Sequence, residues 1–361
     1  MSIDVVVGGQ YGSEGKGGVA AHLMKRRRQE DPLGTIHAVR VAGPNAGHTA
    51  VGILDGEHWA LRQVPCMAVA DLTCQLHIAQ GSEVDIPVLL DEIARLDAAG
   101  YKVSDRLDVS VEATVIESEH KELEAGLVAK LGSTAKGIGA ARAARAMRTA
   151  RRMCDIYDDA DVEPPFQPMA PLEPIIWLAN DEHVIIEGTQ GYGLGTHVGM
   201  YPQCTSSDCT SADFLAMAGI PPGAEVTTWV CFRSYPIRVA GNSGEMGDEL
   251  TWEELAERTG GHVKPERTTV TKKVRRVAEW DPNLAVAAYL ANGGRVGDVR
   301  PVLTFADYIE PSLYEVSSGR FDLTADWGGL IEWVDENFLG GAIPPAALTT
   351  GPDSIVWCDG E

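Results

Sequence analysis

Short apolar runs recur along the chain, and between them lie stretches in which apolar residues return every three or four positions. The runs at 3–7, 36–41, 76–79, 107–111, 183–186, 225–231 and 299–304 predict strands. The amphipathic stretches at 16–28, 86–99, 117–131, 211–218, 252–258 and 283–291 predict helices. Strand alternating with helix predicts an α/β fold, a large mostly parallel central sheet flanked by helices. Segment 155–174 carries many acids and five prolines, and reads as a surface insertion. From about residue 310 onward, Gly, Pro, Trp and Asp dominate and no period is evident. The chain reads as one domain, 1–361, with insertions.

Composition narrows the class. The 361 residues are 44% hydrophobic and 23% charged, as in an ordinary globular protein with a sizeable core. The balance of 30 basic against 52 acidic residues gives a formal charge of −22. That excludes a general nucleic-acid coat or a grip on anionic membrane, and it makes local basic clusters conspicuous. Seven cysteines without a C-x-x-C argue for reduced thiols rather than a disulfide scaffold or thiolate zinc site. Met1 leads almost directly into the first strand, leaving no room for a signal peptide, and the apolar runs are too short to span a membrane. The expectation is a cytoplasmic protein.

The candidate chemistry lies in loops that follow strands. GQYGSEGKG, residues 9–17, joins the first strand to the first helix, where backbone N–H groups and a helix N-terminus together favour a phosphate. It ends in Gly15-Lys16, but the spacing is not that of a Walker loop. AGPNAGHT, residues 42–49, offers the Asn45 amide, a close approach at Gly47 and the His48 imidazole. Residues 187–208 combine glycines with Gln190, Thr205, Ser206 and Ser207, uncharged groups suited to a base or a phosphate. Arg142, Arg145 and Arg148 recur every three residues, so they share a helical face and call for either an anionic partner or facing acids. Residues 267–281 alternate threonines with Lys272, Lys273, Arg275 and Arg276, which suits a small dicarboxylate or else an exposed edge strand. LTFAD at 303–307 and TTGPD at 349–353 complete the set, which implies a purine nucleotide, a second anionic ligand and a metal.

In order along the chain, these segments resemble the adenylosuccinate synthetase family. That family's G-D-E-G-K-G corresponds to Gly12-Ser13-Glu14-Gly15-Lys16-Gly17, and its N-A-G-H-T to Asn45–Thr49. Its T-G-R-G-I-G is similar to residues 134–139, E-G-A-Q-G to 187–191, V-T-S-S-N to 204–208 and T-G-P-D to 350–353. The resemblance implies a P-loop-NTPase-related fold, a homodimer, Mg²⁺ and a two-step reaction. A triphosphate phosphorylates the 6-oxygen of a purine monophosphate, and the amine of L-aspartate then displaces that phosphate.

The same resemblance implies residue roles. Ser13, Lys16 and His48 are the catalytic candidates, with His48 stabilising the oxygen being phosphorylated. Ser13 and the Gly47 carbonyl are the candidates for Mg²⁺. Ser13, Glu14, Gly15, Lys16 and Gly17, with Gly47 and Thr49, receive the triphosphate. Arg275, Phe305, Asp307, Gly351 and Pro352 complete that site. Ser13, Asn45, Ala46, Thr134, Gln190, Thr205 and Lys273 hold the purine monophosphate, with Arg148 reaching in from the other subunit. L-aspartate falls to Thr269, Val270, Thr271, Lys272, Lys273 and Arg275.

Two departures from the family pattern redirect the expectation. Ser13 stands where the family has an aspartate that acts as base and metal ligand. Phe305 stands where the family's T-K-x-D has its guanine-packing lysine, although Asp307 remains. This pattern resembles the phage branch that makes 2-aminoadenylosuccinate, and so implies dGMP as acceptor, ATP or dATP as donor, and a host-cell cytoplasm. The alternatives are an adenylosuccinate synthetase acting on IMP with GTP, and a non-catalytic nucleotide-binding regulator.

Overall fold

A computed structural model describes residues 2–41, 43–127, 134–159, 164–268, 273–316 and 327–358. Its centre is a ten-stranded sheet. In chain order the strands are β1 (Ile3–Gly8), β2 (Ile36–Arg40), β3 (Gln75–Ile78), β4 (Leu107–Ser110) and β5 (Gln167–Met169). They continue as β6 (His183–Glu187), β7 (Val226–Arg233), β8 (Asp298–Thr304), β9 (Ala347–Gly351) and β10 (Ser354–Trp357). Across the sheet they run β10-β9-β8-β7-β1-β6-β2-β3-β4-β5, all parallel to their neighbours except the terminal β9–β10 hairpin.

The alternation of side chains along β1 explains why both faces need helices. Val6 joins one hydrophobic cluster with Leu23 and Met24 of helix α1 (Lys16–Glu30) and with Leu89 and Ile93 of helix Ile86–Ala98. Val5 and Val7 join the opposite cluster, with Phe214, Ala285, Leu330 and Trp177 from four further helices. β1 is buried at every position, as a central parallel strand must be.

Two expectations are corrected. Segment 155–174 is not only a surface connection: its Gln167–Met169 pairs with β4 and extends the sheet. The C-terminal region supplies β9 and β10, which close the other edge. A smaller unit stands on the sheet's C-terminal rim. Its strands Ile237–Arg238, Glu249–Leu250 and Arg276–Ala278, with helix Trp252–Arg258, enclose their own cluster around Trp252 and Leu255. All seven cysteines are free thiols. No helix among the described residues is long and apolar enough to cross a membrane.

Candidate active site

Because β1, β2, β6, β7 and β8 are parallel, the loops leaving their C-terminal ends gather at one rim, where open α/β sheets place ligands. The turn after β1 forms the floor. Gly15 caps α1 with φ 73°, a left-handed conformation that glycine adopts without strain. Gly17 lies where an added Cβ would come within 2.9 Å of the His48 Cβ, so glycine lets helix and loop touch. Ser13 is exposed at the apex, with φ 64°.

The turn already contains an anion. The buried Glu14 carboxylate accepts from Gly12 N–H at 2.6 Å and Gln10 N–H at 3.2 Å, and it pairs with Lys16 Nζ at 2.6 Å. The amides and the lysine therefore face a carboxylate of their own loop, where the sequence led us to expect them free for phosphate. The charge of Lys16 is neutralised inside the wall of the site.

His48 sits in a second buried constellation. Glu187 Oε1, at the end of β6, lies 2.6 Å from His48 Nδ1 and 2.5 Å from Arg40 Nη1, and Oε2 accepts from Cys66 N–H at 2.7 Å. Arg40 Nη1 is also 2.6 Å from His48 Nδ1. Burial, reinforced by Arg40, pulls the His48 imidazole down to about 3, so the ring is neutral. Burial opposes ionisation of Glu187, but Arg40 and the hydrogen bond from His48 hold that carboxyl down at about 2. Either neutral tautomer finds a partner. Nδ1–H donates to Glu187, or a bare Nδ1 accepts from Arg40 and leaves the proton on Nε2. His48 can thus offer Nε2 as acceptor or as donor without gaining charge.

Beside the turn opens a cavity of about 380 Å³. Every residue assigned above to the triphosphate lines it: Ser13 to Gly17, Gly47, Thr49, Arg275, Phe305, Asp307, Gly351 and Pro352, together with His48. Glu266 and Tyr308, which the sequence reading missed, also line the cavity, and Arg233 backs them. Arg233, fully buried at the end of β7, donates to the Ser13 carbonyl at 3.2 Å and to Glu266 Oε1 at 2.5 Å. Its guanidinium lies 4.1 Å from the Phe305 ring centroid, a cation–π contact. Glu266 also accepts from Tyr308 Oη at 3.1 Å. The one signal for Arg233 was a charged residue closing an apolar run, and the same holds for Arg40.

The monophosphate candidates do not line this cavity, Ser13 excepted. Gln190 lies on the other side of the turn, its backbone 3.9 Å from a Cβ built on Gly12, and Asn45, Ala46 and Thr205 are half-buried in loops. Thr134, Arg148 and Lys273 are exposed. Of the two readings of the arginine face, facing acids hold for two of the three residues. Arg142 pairs with Glu83 at 2.7 Å and Arg145 with Glu112 at 2.8 Å, so facing acids satisfy both. Arg148 caps the helix Ile138–Met147 in a left-handed conformation and makes no ion pair among the described residues. Thr269, Val270, Thr271 and Lys272 lie outside the described residues. No cluster of three or more His, Cys, Asp or Glu suited to a metal occurs among the described residues. Ser13, with its hydroxyl, and Gly47, with its carbonyl, are among the oxygen-bearing residues that line the cavity. They fit Mg²⁺ arriving on phosphates, since that ion needs few protein ligands.

Comparison with known proteins follows the same line. The family model for adenylosuccinate synthetase matches residues 5–176 and 172–295. The adenylosuccinate synthetase of Methanococcus aeolicus is 32% identical over 98% of this chain and 98% of its own. That of Methanococcus maripaludis is 36% identical over 98% and 97%. Among solved structures, the succinoaminodeoxyadenylate synthetase of cyanophage S-2L, bound to dGMP and to dATP as an energy donor, superposes with a TM-score of 0.78. It is 28% identical, over 99% of this chain and 95% of that one.

Proposed function

We propose a substrate and a donor for this chain, which belongs to the adenylosuccinate synthetase family and is a carbon–nitrogen ligase of that type: it joins L-aspartate to the 6-position of dGMP with cleavage of ATP or dATP. The observation that carries this reading is Ser13, exposed at the turn apex where the family loop has a carboxylate. A serine leaves room beside the ring N–H of the purine, where the 2-amino group of guanine lies. The likeness to the cyanophage enzyme supports it, since that protein was solved with dGMP and dATP. The product would be 2-amino-2′-deoxyadenylosuccinate, a precursor of diaminopurine deoxynucleotides.

In this reading the cavity takes the triphosphate, and Lys16, whose ammonium keeps two N–H donors beyond the one given to Glu14, holds the phosphoryl group in transit with the N–H groups of the turn that Glu14 does not engage. The Ser13 hydroxyl and Gly47 carbonyl would hold Mg²⁺, which neutralises phosphate charge. His48 meets the purine 6-oxygen as it is phosphorylated. Asn45, Ala46, Thr134, Gln190, Thr205 and Lys273 take the monophosphate, and Arg275 with Lys273 takes aspartate. Phosphate release across IMP, GMP and dGMP, with aspartate fixed and with ATP and GTP each tried as donor, tests the substrate. dGMP is expected to turn over fastest. Preference for IMP would support the second reading, an adenylosuccinate synthetase acting on IMP with GTP, which the 32% and 36% identities to archaeal enzymes of that name favour.

A homodimer belongs to the same proposal, with Arg148 serving the neighbouring site. Arg148→Asn suits the test, because asparagine tolerates the local φ of 64°. The variant is expected to raise KM for the monophosphate at least about tenfold, as loss of a phosphate-binding charge should. Its melting temperature should stay unchanged. Mixed with a His48→Ala variant, it should recover up to about a quarter of wild-type activity, because each hybrid dimer keeps one intact site. No recovery on mixing would remove Arg148 from the shared site.

A further inference from the structure

Phe305 is held on every side but the one it turns to the cavity. It follows β8 directly, with φ 59° and ψ 42°, a left-handed conformation that is rare for a bulky residue and persists only where its surroundings enforce it. Its N–H donates to Thr349 Oγ1 at 3.1 Å, and its carbonyl accepts from Ser234 Oγ at 2.8 Å and from Tyr308 N–H at 3.0 Å. Those bonds fix the backbone, and Arg233 fixes the ring. Phe305 lines the cavity and Arg233 does not, so the guanidinium, 4.1 Å from the ring centroid, backs the ring from the protein interior. Arg233 is itself fully buried, held by Glu266 and the Ser13 carbonyl, and its Nε has no hydrogen-bond partner among the described residues. A cation buried so completely, with one donor unserved, is costly to keep for stability alone. A planar cation over an aromatic face gains from the same dryness.

We infer that Arg233 is a positioning residue for the triphosphate: it holds the Phe305 ring as a preformed plane for the donor's purine base, and acts through the ring without touching the nucleotide. The inference rests on the reading that the cavity takes the triphosphate with its base at Phe305. Without the guanidinium the ring can move into the space behind it, and must be ordered again each time a base binds. The turn that meets the phosphates has other supports. Gly12 and Gln10 N–H stay on Glu14, and the Gln10 side chain bonds the N–H and carbonyl of residue 233, which survive any change of its side chain.

A double-mutant cycle tests this. Donor KM and kcat are measured with aspartate and the preferred monophosphate saturating, in wild type, Arg233→Met, Phe305→Leu and the double variant. The donor is whichever of ATP and GTP wild type prefers; preference for GTP overturns the adenine reading, and the cycle still decides on Arg233. Arg233→Met is expected to raise the donor KM at least about tenfold, as loss of a dry cation–π contact should, with kcat lowered less. Phe305→Leu should do the same, and the double variant should go no further than the larger single effect, because the two residues act as one unit. Inorganic tripolyphosphate, which has no base, should inhibit all four proteins equally. Arg233→Gln keeps an N–H donor for Glu266 and takes the place of Arg233→Met should that variant melt early. Arg233→Lys, which keeps a cation for the ring, should recover part of the lost affinity. Effects that multiply in the double variant, or a tripolyphosphate Ki that rises in step with KM, would show Arg233 supporting the pocket as a whole and overturn its action through Phe305. A donor KM unmoved in both Arg233→Met and Arg233→Gln overturns it as well. A donor KM unmoved by Phe305→Leu overturns the placement of the base, and the inference with it.

Discussion

Replacing His48 with alanine is expected to lower turnover about a hundred- to a thousandfold, the usual loss when a donor to a developing oxyanion is removed. Nucleotide affinity should hardly change, since the turn, Arg275, Phe305 and Asp307 make the rest of the cavity wall. The fold should survive as well. Arg40 and Glu187 still pair when the imidazole is gone, and Glu187 keeps the Cys66 N–H. The neutral ring is an advantage in its setting. A cationic imidazole beside Arg40 would be repelled, whereas a neutral one offers Nε2 to the oxygen at little electrostatic cost. Steady-state phosphate release and a thermal melt on the same preparation check this. Wild-type turnover in a folded His48→Ala variant would sink the catalytic assignment.

Ser13→Asp is expected to move the dGMP-to-IMP preference toward IMP by about a hundredfold, within the range that a misfit of one or two atoms costs. The backbone at residue 13 already has φ 64°, a region where aspartate is enriched, so the turn should accept the change. The new carboxylate would supply a base and a metal ligand at the cavity edge. It would also crowd the 2-amino group of guanine, which IMP lacks. The measurement is the ratio of kcat/KM for the two acceptors in wild type and variant. An unchanged ratio would remove Ser13 as the discriminating element.

What could be read in the chain, and what could not, follows from how local each signal is. The turn at 9–17 and the loop at 42–49 were legible because glycine, lysine and histidine sit directly after apolar runs, where sheet topology gathers ligand loops. The arginine face stayed ambiguous because spacing shows which residues share a side and not what faces them. Glu83 and Glu112, which meet Arg142 and Arg145, lie 59 and 33 residues earlier. Arg40, Glu187, Arg233 and Glu266 went unread for a similar reason. A charge inside or beside a buried strand gains meaning only from a partner far along the chain. The TTGPD segment was read for its chemistry, but it is also the turn of the β9–β10 hairpin, where Gly351 pairs with Ser354. The prolines of 155–174 hid a strand because proline normally argues against one.

That last strand carries its own consequence. β5 is the rim of the sheet, three residues long, and Pro168 occupies its middle position, opposite Val109. Proline has no N–H, and so presents the outside with a gap where a ladder would need a donor. A newcomer chain, whether a second copy or a misfolded one, finds no regular template on this side. The rim that made the segment hard to recognise is also what guards the molecule against edge-to-edge aggregation there. Any association of two copies on this side is then left to side chains on helices and loops, which can be specific in a way that an open strand edge is not.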